Sequence, residues 1–147
     1  MKLLILALAC TLSLIAMAAE SEKSDTAKVH RAVFEVSVEG ADKWLGALRN
    51  VENALDTLGK QTKIEVVAHG KGIGLLLAKT ASENAGLKGK IEKFYAEGLI
   101  FSGCENTMQR EKLEKKDLIE QATTVDSGVA EVIRKQTAGW AYLKSGG

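Results

Sequence analysis

Gly98-Leu-Ile-Phe-Ser-Gly-Cys-Glu-Asn-Thr-Met108 decides the fold: a short apolar run closes on Gly-Cys and a polar helix start follows at once. Leu99, Ile100 and Phe101 are β-prone and bracketed by Gly98 and Gly103, which reads as a buried strand. Asn106, with Gln109 three residues on, is a capping signal for a charged amphipathic helix through Leu113 to about Lys115. Cys104 is therefore expected between the carboxyl end of a strand and the amino end of a helix, with Glu105, Asn106 and Thr107 supporting its loop. In open α/β sheets that crevice is where ligands bind, and unpaired N–H groups at a helix start favour an anion such as a thiolate.

Working outward, Arg31 to Val38 is a β-branched run ending at Glu39-Gly40 and reads as strand one. Leu45, Leu48, Val51, Leu55 and Leu58 recur at threes and fours after Asp42, which predicts an amphipathic helix from Lys43, stopped at Gly59. Thr62 to Ala68 is strand two and runs into His69-Gly70-Lys71-Gly72-Ile73-Gly74, before an apolar helix through Leu75, Leu76 and Leu77. Gly86 and Gly89 are expected to break the helical pattern, leaving Lys90 to Glu97 as a second piece. Beyond Cys104, Ala122 to Val125 is a short strand. Asp126-Ser127 caps a helix from Gly128 to about Thr137, and Trp140 to Leu143 is an edge strand. Strands alternating with helices define an α/β domain over residues 29–144, with a mainly parallel sheet of about five strands and helices on both faces. One rim then gathers His69, the glycine loop, Cys104 and the Asp126-Ser127 turn.

At the other end, Lys2 precedes an apolar stretch from Leu3 through Ile15 and a small-residue segment, Ala16-Met-Ala-Ala19. Residues 1–19 read as a signal peptide cut after Ala18 or Ala19, and residues 20–28 as a flexible lead-in. The mature chain is then periplasmic or secreted, with no membrane segment. Of the two cysteines, Cys10 leaves with the leader and Cys104 remains, so the mature monomer has no internal disulfide. The formal charge of +1 falls to neutrality once Lys2 is removed, and both signs are interspersed, which argues against nucleic acid or an anionic membrane as partner. With no proline, the turns rest on 14 glycines and on Asn, Asp and Ser.

Each candidate residue has two readings. Cys104 is either a buried, inert packing thiol or a nucleophile activated by the helix start, opposed by Glu105 unless that carboxylate points to solvent or pairs with Lys71 or Arg110. His69 is an acid–base group for the sulfur or a satisfied loop histidine. Gly70, Lys71, Gly72 and Gly74 form an anion-binding loop or a simple turn, since the spacing is neither a dinucleotide fingerprint nor a P-loop. Cys104 and His69 supply only two soft ligands, too few for a closed metal site, and no cofactor is implied. Trp44, Trp140 and Tyr142 are packing or subunit-contact residues, and Asn50 and Asn53 face solvent or a partner. The apolar final strand points to a homo-oligomer of closed symmetry.

Val66-Val-Ala-His-Gly-Lys-Gly-Ile73, Phe101-Ser-Gly-Cys-Glu-Asn-Thr-Met108 and Ser127-Gly-Val-Ala-Glu-Val-Ile-Arg-Lys-Gln-Thr-Ala-Gly-Trp-Ala-Tyr142 together resemble the DsrE/DsrF-like sulfur-oxidation proteins. The resemblance covers nearly the whole mature chain. It implies a three-layer DsrEFH-like domain of flavodoxin-like topology, trimeric or hexameric assembly, and in some members a cysteine that carries sulfur as a persulfide. Cys104 falls on that cysteine's loop. The residues after it, Glu105 to Arg110, follow the stand-alone members rather than the relay subunits. Two functions stand at this point: a thiol-based sulfur carrier or sulfurtransferase with a protein donor or acceptor, and a non-catalytic oligomeric binding module with a structural cysteine.

Overall fold

The computed structural model describes residues 29–145, so the leader and lead-in expected over 1–28 lie outside the described residues. In chain order the elements are β1 (Arg31–Val36), α1 (Ala41–Leu58), β2 (Lys63–Ala68), a 3-10 segment (Gly70–Leu76), α2 (Ala78–Glu83) and α3 (Ala85–Ala96). After these come β3 (Ile100–Cys104), α4 (Glu105–Arg110), a 3-10 turn (Lys115–Asp117), β4 (Ala122–Val125), α5 (Gly128–Thr137) and β5 (Ala141–Ser145). The strands form one sheet in the order β4-β3-β2-β1-β5, and every pairing is parallel.

Strand alternation divides the side chains between two unequal layers. Phe34 and Val36 of β1, Ile64 and Val66 of β2, and Phe101 of β3 face α1 and α3 and build the main core with Leu48, Val51, Leu55, Leu87, Ile91 and Phe94. On the opposite face Val33 and Val67 meet Val132 of α5, the one helix that crosses there from β4 to β5 among the described residues. The three layers are as expected. The order differs from the flavodoxin arrangement 2-1-3-4-5 in that the last strand, rather than the second, flanks β1 on its far side. The physical consequence is that β1, β2 and β3 all hand over to the α1/α3 side, whereas β4 hands over to α5. Neighbouring exits therefore diverge between β3 and β4, directly beside Cys104.

Several local expectations are corrected. Gly86 and Gly89 do not interrupt the helix: Asn84 caps α3 by accepting the Leu87 N–H at 3.0 Å, and burial of Leu87, Ile91 and Phe94 outweighs a glycine penalty of about 1 kcal/mol each. Helix α4 starts at Glu105 with Cys104, not Asn106, at its cap, because the Asn106 N–H already turns to the Asp126 carbonyl at 3.3 Å. It stops at Arg110 rather than near Lys115, since Lys112 takes a positive φ of 56° and lets the Leu113 N–H return to the Met108 carbonyl at 2.8 Å. β1 ends at Val36, and the Val38 carbonyl instead accepts the Trp44 indole N–H at 2.7 Å. Trp44 is thereby a core residue, the packing alternative of the sequence reading.

The Gly70–Leu76 segment, expected as a turn and then a helix, is a continuous 3-10 coil lodged against the sheet. A side chain at Gly72 would lie 2.0 Å from the Val36 carbonyl oxygen, and one at Gly74 would lie 2.5 Å from the Trp44 ring. Those two glycines let the coil approach β1 and α1 closely.

Candidate functional site

Cys104 is the last residue of β3 and the cap of α4, with 5% of its surface exposed. It closes no full side-chain cap bond, yet the groups around its sulfur are polarised in one direction. Burial pushes the thiol up. The Thr107 hydroxyl and the backbone N–H groups of Gly128 and Thr107, with a smaller effect from the Asn106 N–H that the Asp126 carbonyl shares, outweigh it and hold the thiol below its ordinary range. These donors come from two helix starts, α4 on one side of the strand end and α5 on the other.

Thr107 is buried, and its Oγ1 accepts the Gly70 N–H at 3.0 Å. With that lone pair occupied, its own proton is available to the sulfur. Helix α5 is fixed at its start by Ser127, whose Oγ accepts the Ala130 N–H at 3.3 Å. Glu105, the residue that threatened the thiolate, is exposed and accepts from the Thr124 hydroxyl at 2.7 Å. Arg110 pairs instead with Glu111 at 3.2 Å.

His69 follows β2 in extended conformation, on the same sheet face as Cys104, and Gly128 is wedged between the two. A side chain at Gly128 would meet His69 Cβ at 2.9 Å, Cys104 Cβ at 3.2 Å and the His69 ring at Cδ2 at 3.3 Å, so His69 and Cys104 flank that glycine. His69 Nε2 lies 2.7 Å from Glu35 Oε1, and the other oxygen of Glu35 accepts the Tyr142 hydroxyl. Burial raises the Glu35 carboxyl, but the Tyr142 and His69 bonds and the Lys144 charge bring it below the usual carboxylate range. The same bond pushes Tyr142 up to about 12.

The structure thus brings together Cys104, His69, Asn106, Thr107 and Gly70. Gly72 and Gly74 are turned into the packed body, and the Gly72 N–H is used by the His69 carbonyl at 2.9 Å. Lys71 is exposed and lines a cleft of about 330 Å³ with Glu39, Trp44, Gly70 and Gly74. Among the described residues no group of three or more His, Cys, Asp or Glu is placed to hold a metal ion. No helix among them is long and apolar enough to cross a membrane.

The sequence reading missed Glu35, Tyr142 and a second polar cluster on the same face. Glu65, 2% exposed, accepts from Ser102 Oγ at 2.6 Å and from Lys135 Nζ at 2.5 Å. Lys135 also lies 3.5 Å from Glu131 and 4.5 Å from the Trp140 ring centre. The available signal was a glutamate in the middle of each of two strands in a sheet expected to be covered on both faces, where a carboxylate needs a partner.

With this geometry in place, comparison with known proteins gives a consistent answer. The sequence model of the DsrE/DsrF-like family matches residues 7–145. A solved structure of a protein of unknown function from Methanobacterium thermoautotrophicum is 30% identical and superposes with a TM-score of 0.70. The match covers 78% of this chain and 98% of that one. No curated protein matches the chain.

Proposed function

The chain belongs to the DsrE/DsrF-like family, which suggests a sulfur-relay role, and from that premise we propose that it is an exported thiol-based sulfur carrier or sulfurtransferase that forms a persulfide on Cys104. The observation that supports this most is the place of a buried thiol between two helix starts, where the neighbouring polar groups hold it below its ordinary range against the opposing effect of burial. A packing thiol gains nothing from such groups, whereas a thiolate nucleophile does. In the reaction, the Cys104 thiolate attacks the outer sulfur of a donor R–S–SH. The donor's S–S bond breaks with its electron pair on R–S⁻, which takes a proton from the His69 imidazolium. The products are Cys104–S–SH and R–SH. The Cys104 sulfur is oxidised by the step and the donor's inner sulfur is reduced, so no other oxidant is needed.

The 5% exposure of Cys104 confines attack to a narrow donor end, such as a low-molecular-weight persulfide, polysulfide or thiosulfate, or a protein segment that presents one. Intact-mass spectrometry of chain recovered from the exported fraction should show a start at residue 19 or 20 and, after incubation with such donors, one added sulfur that maps to Cys104. The absence of any adduct, together with a thiol inert to alkylation, would leave the binding-module reading with a structural cysteine.

The assembly proposed for this function is a closed homo-oligomer, a trimer or hexamer. Val129 and Ile133 are 55% and 57% exposed on the outer side of α5, and Tyr142 and Leu143 of the edge strand β5 are exposed as well. Exposed apolar side chains of this kind are what subunit association removes from water. Light scattering after size exclusion should report a mass of three or six chains at micromolar concentration. A monomer there sinks the assembly without touching the chemistry of Cys104.

A further inference from the structure

Glu35, His69 and Tyr142 come from β1, the end of β2 and β5, three elements far apart in sequence, and they close one chain of contacts beside the thiol. Register brings them there. Glu35 is paired with Val67 on β2 and with Lys144 on β5, so His69 and Tyr142 each fall two residues away on the same face. The Glu35 carboxylate has one oxygen on the imidazole and the other on the phenol, an arrangement that fixes its plane. It also fixes the ring. With Nε2 held 2.7 Å from a carboxylate oxygen, the neutral imidazole carries its proton on Nε2 and leaves the lone pair on Nδ1.

We infer that Glu35 and Tyr142 are positioning residues for His69: Glu35, steadied by the Tyr142 hydroxyl, orients the ring and leaves Nδ1 as the free nitrogen that exchanges protons with the sulfur donor and acceptor of the Cys104 step. The step served is the persulfide exchange proposed above, so its role depends on that reading, although the geometry does not. On loading, the imidazolium gives its Nδ1 proton to the departing R–S⁻ and keeps the Nε2 proton on Glu35. On unloading, Nδ1 takes the proton of an incoming thiol R′–SH. The resulting thiolate attacks the outer sulfur of Cys104–S–SH, forming R′–S–SH and returning the Cys104 thiolate. Protons and electrons then balance over the cycle. The cluster has the logic of a nucleophile, an acid–base group and an orienting carboxylate, with a phenol as fourth member.

The test separates ring position from thiol reactivity. Long-range proton–nitrogen correlation of the neutral imidazoles reports the tautomer. His69 is told apart from His30 by its loss in His69→Gln. The wild-type chain should show His69 protonated at Nε2, and Glu35→Gln should give a mixture of tautomers. Loading of Cys104 from a small alkyl persulfide should slow by about tenfold or more in Glu35→Gln, while alkylation by iodoacetamide, which needs no proton donor, keeps its rate. Tyr142→Phe, at a 40% exposed position on the sheet edge that leaves the fold intact, should slow loading in the same direction to a smaller extent. An unchanged tautomer in Glu35→Gln, or loading and alkylation slowed in equal proportion, overturns the inference. A wild-type chain that accepts sulfur from no donor overturns the persulfide reading instead and leaves the tautomer measurement to decide this one.

Discussion

Lys135→Met is expected to lower the stability of the domain by about 3–5 kcal/mol, the usual consequence of removing one partner from a buried ion pair. Glu65 lies in the middle of β2 beneath α5 with only 2% exposure, and its two oxygens are taken by Ser102 at 2.6 Å and Lys135 at 2.5 Å. Methionine can still lie against the Trp140 ring that Lys135 now covers at 4.5 Å, so the packing is largely kept and the loss is electrostatic. Adding Glu65→Gln to Lys135→Met should recover most of the loss, because the amide oxygen still accepts from Ser102 and no charge is stranded. Burial lowers the Lys135 ammonium, but Glu65 and Glu131 more than compensate and hold it above its ordinary value. Its contribution is therefore complete below about pH 10.4 and is lost as the pH rises through the folded value. Denaturant titration of the two variants at neutral pH decides the matter. A single variant within about 1 kcal/mol of wild type would mean that the pair behaves as a solvent-screened one.

The same pair marks the boundary of what could be read from the sequence. The strands at Arg31, Thr62 and Leu99, the helix at Gly128 with Ser127 as its cap, and the position of Cys104 at a strand end were all legible, since each rests on local periodicity or capping. Glu35 and Glu65 were not. A sheet covered on both faces implied that each needs a partner, but the partners themselves, brought by strand register and by the passage of α5 across that face, lay beyond local pattern. Tyr142 was seen as apolar edge area because its partner, Glu35, lies most of the chain away. Gly86 and Gly89 misled for the opposite reason, as a local propensity was overruled by the burial of Leu87, Ile91 and Phe94. Gly128 was visible as a letter in a motif, but its function as a spacer between His69 and Cys104 depends on three elements meeting at one point.

That spacer is the second place where one atom should matter. In Gly128→Ala the new Cβ would stand 2.9 Å from His69 Cβ and 3.2 Å from Cys104 Cβ, both rigid positions close to the backbone, so either α5 recedes from the strand end or the imidazole is displaced. In the first case the sulfur loses the Gly128 N–H, one of the donors that hold its thiol low against the opposing effect of burial. The thiol then rises, and each unit of rise lowers the thiolate fraction about tenfold at neutral pH. Alkylation of Cys104 near pH 7 should therefore slow by about tenfold, with the midpoint of its pH profile moved upward. Above the ordinary thiol value of about 8.5 the two proteins should converge. Stability follows the same sign: because the folded value of Cys104 lies below its unfolded value, the thiolate's contribution is complete above that ordinary value. It fades as the pH falls through the folded value, and Gly128→Ala should flatten this dependence. A variant that alkylates slowly at every pH has lost access rather than ionisation, and one whose profile keeps the wild-type midpoint shows that the start of α5 does not set the charge on Cys104.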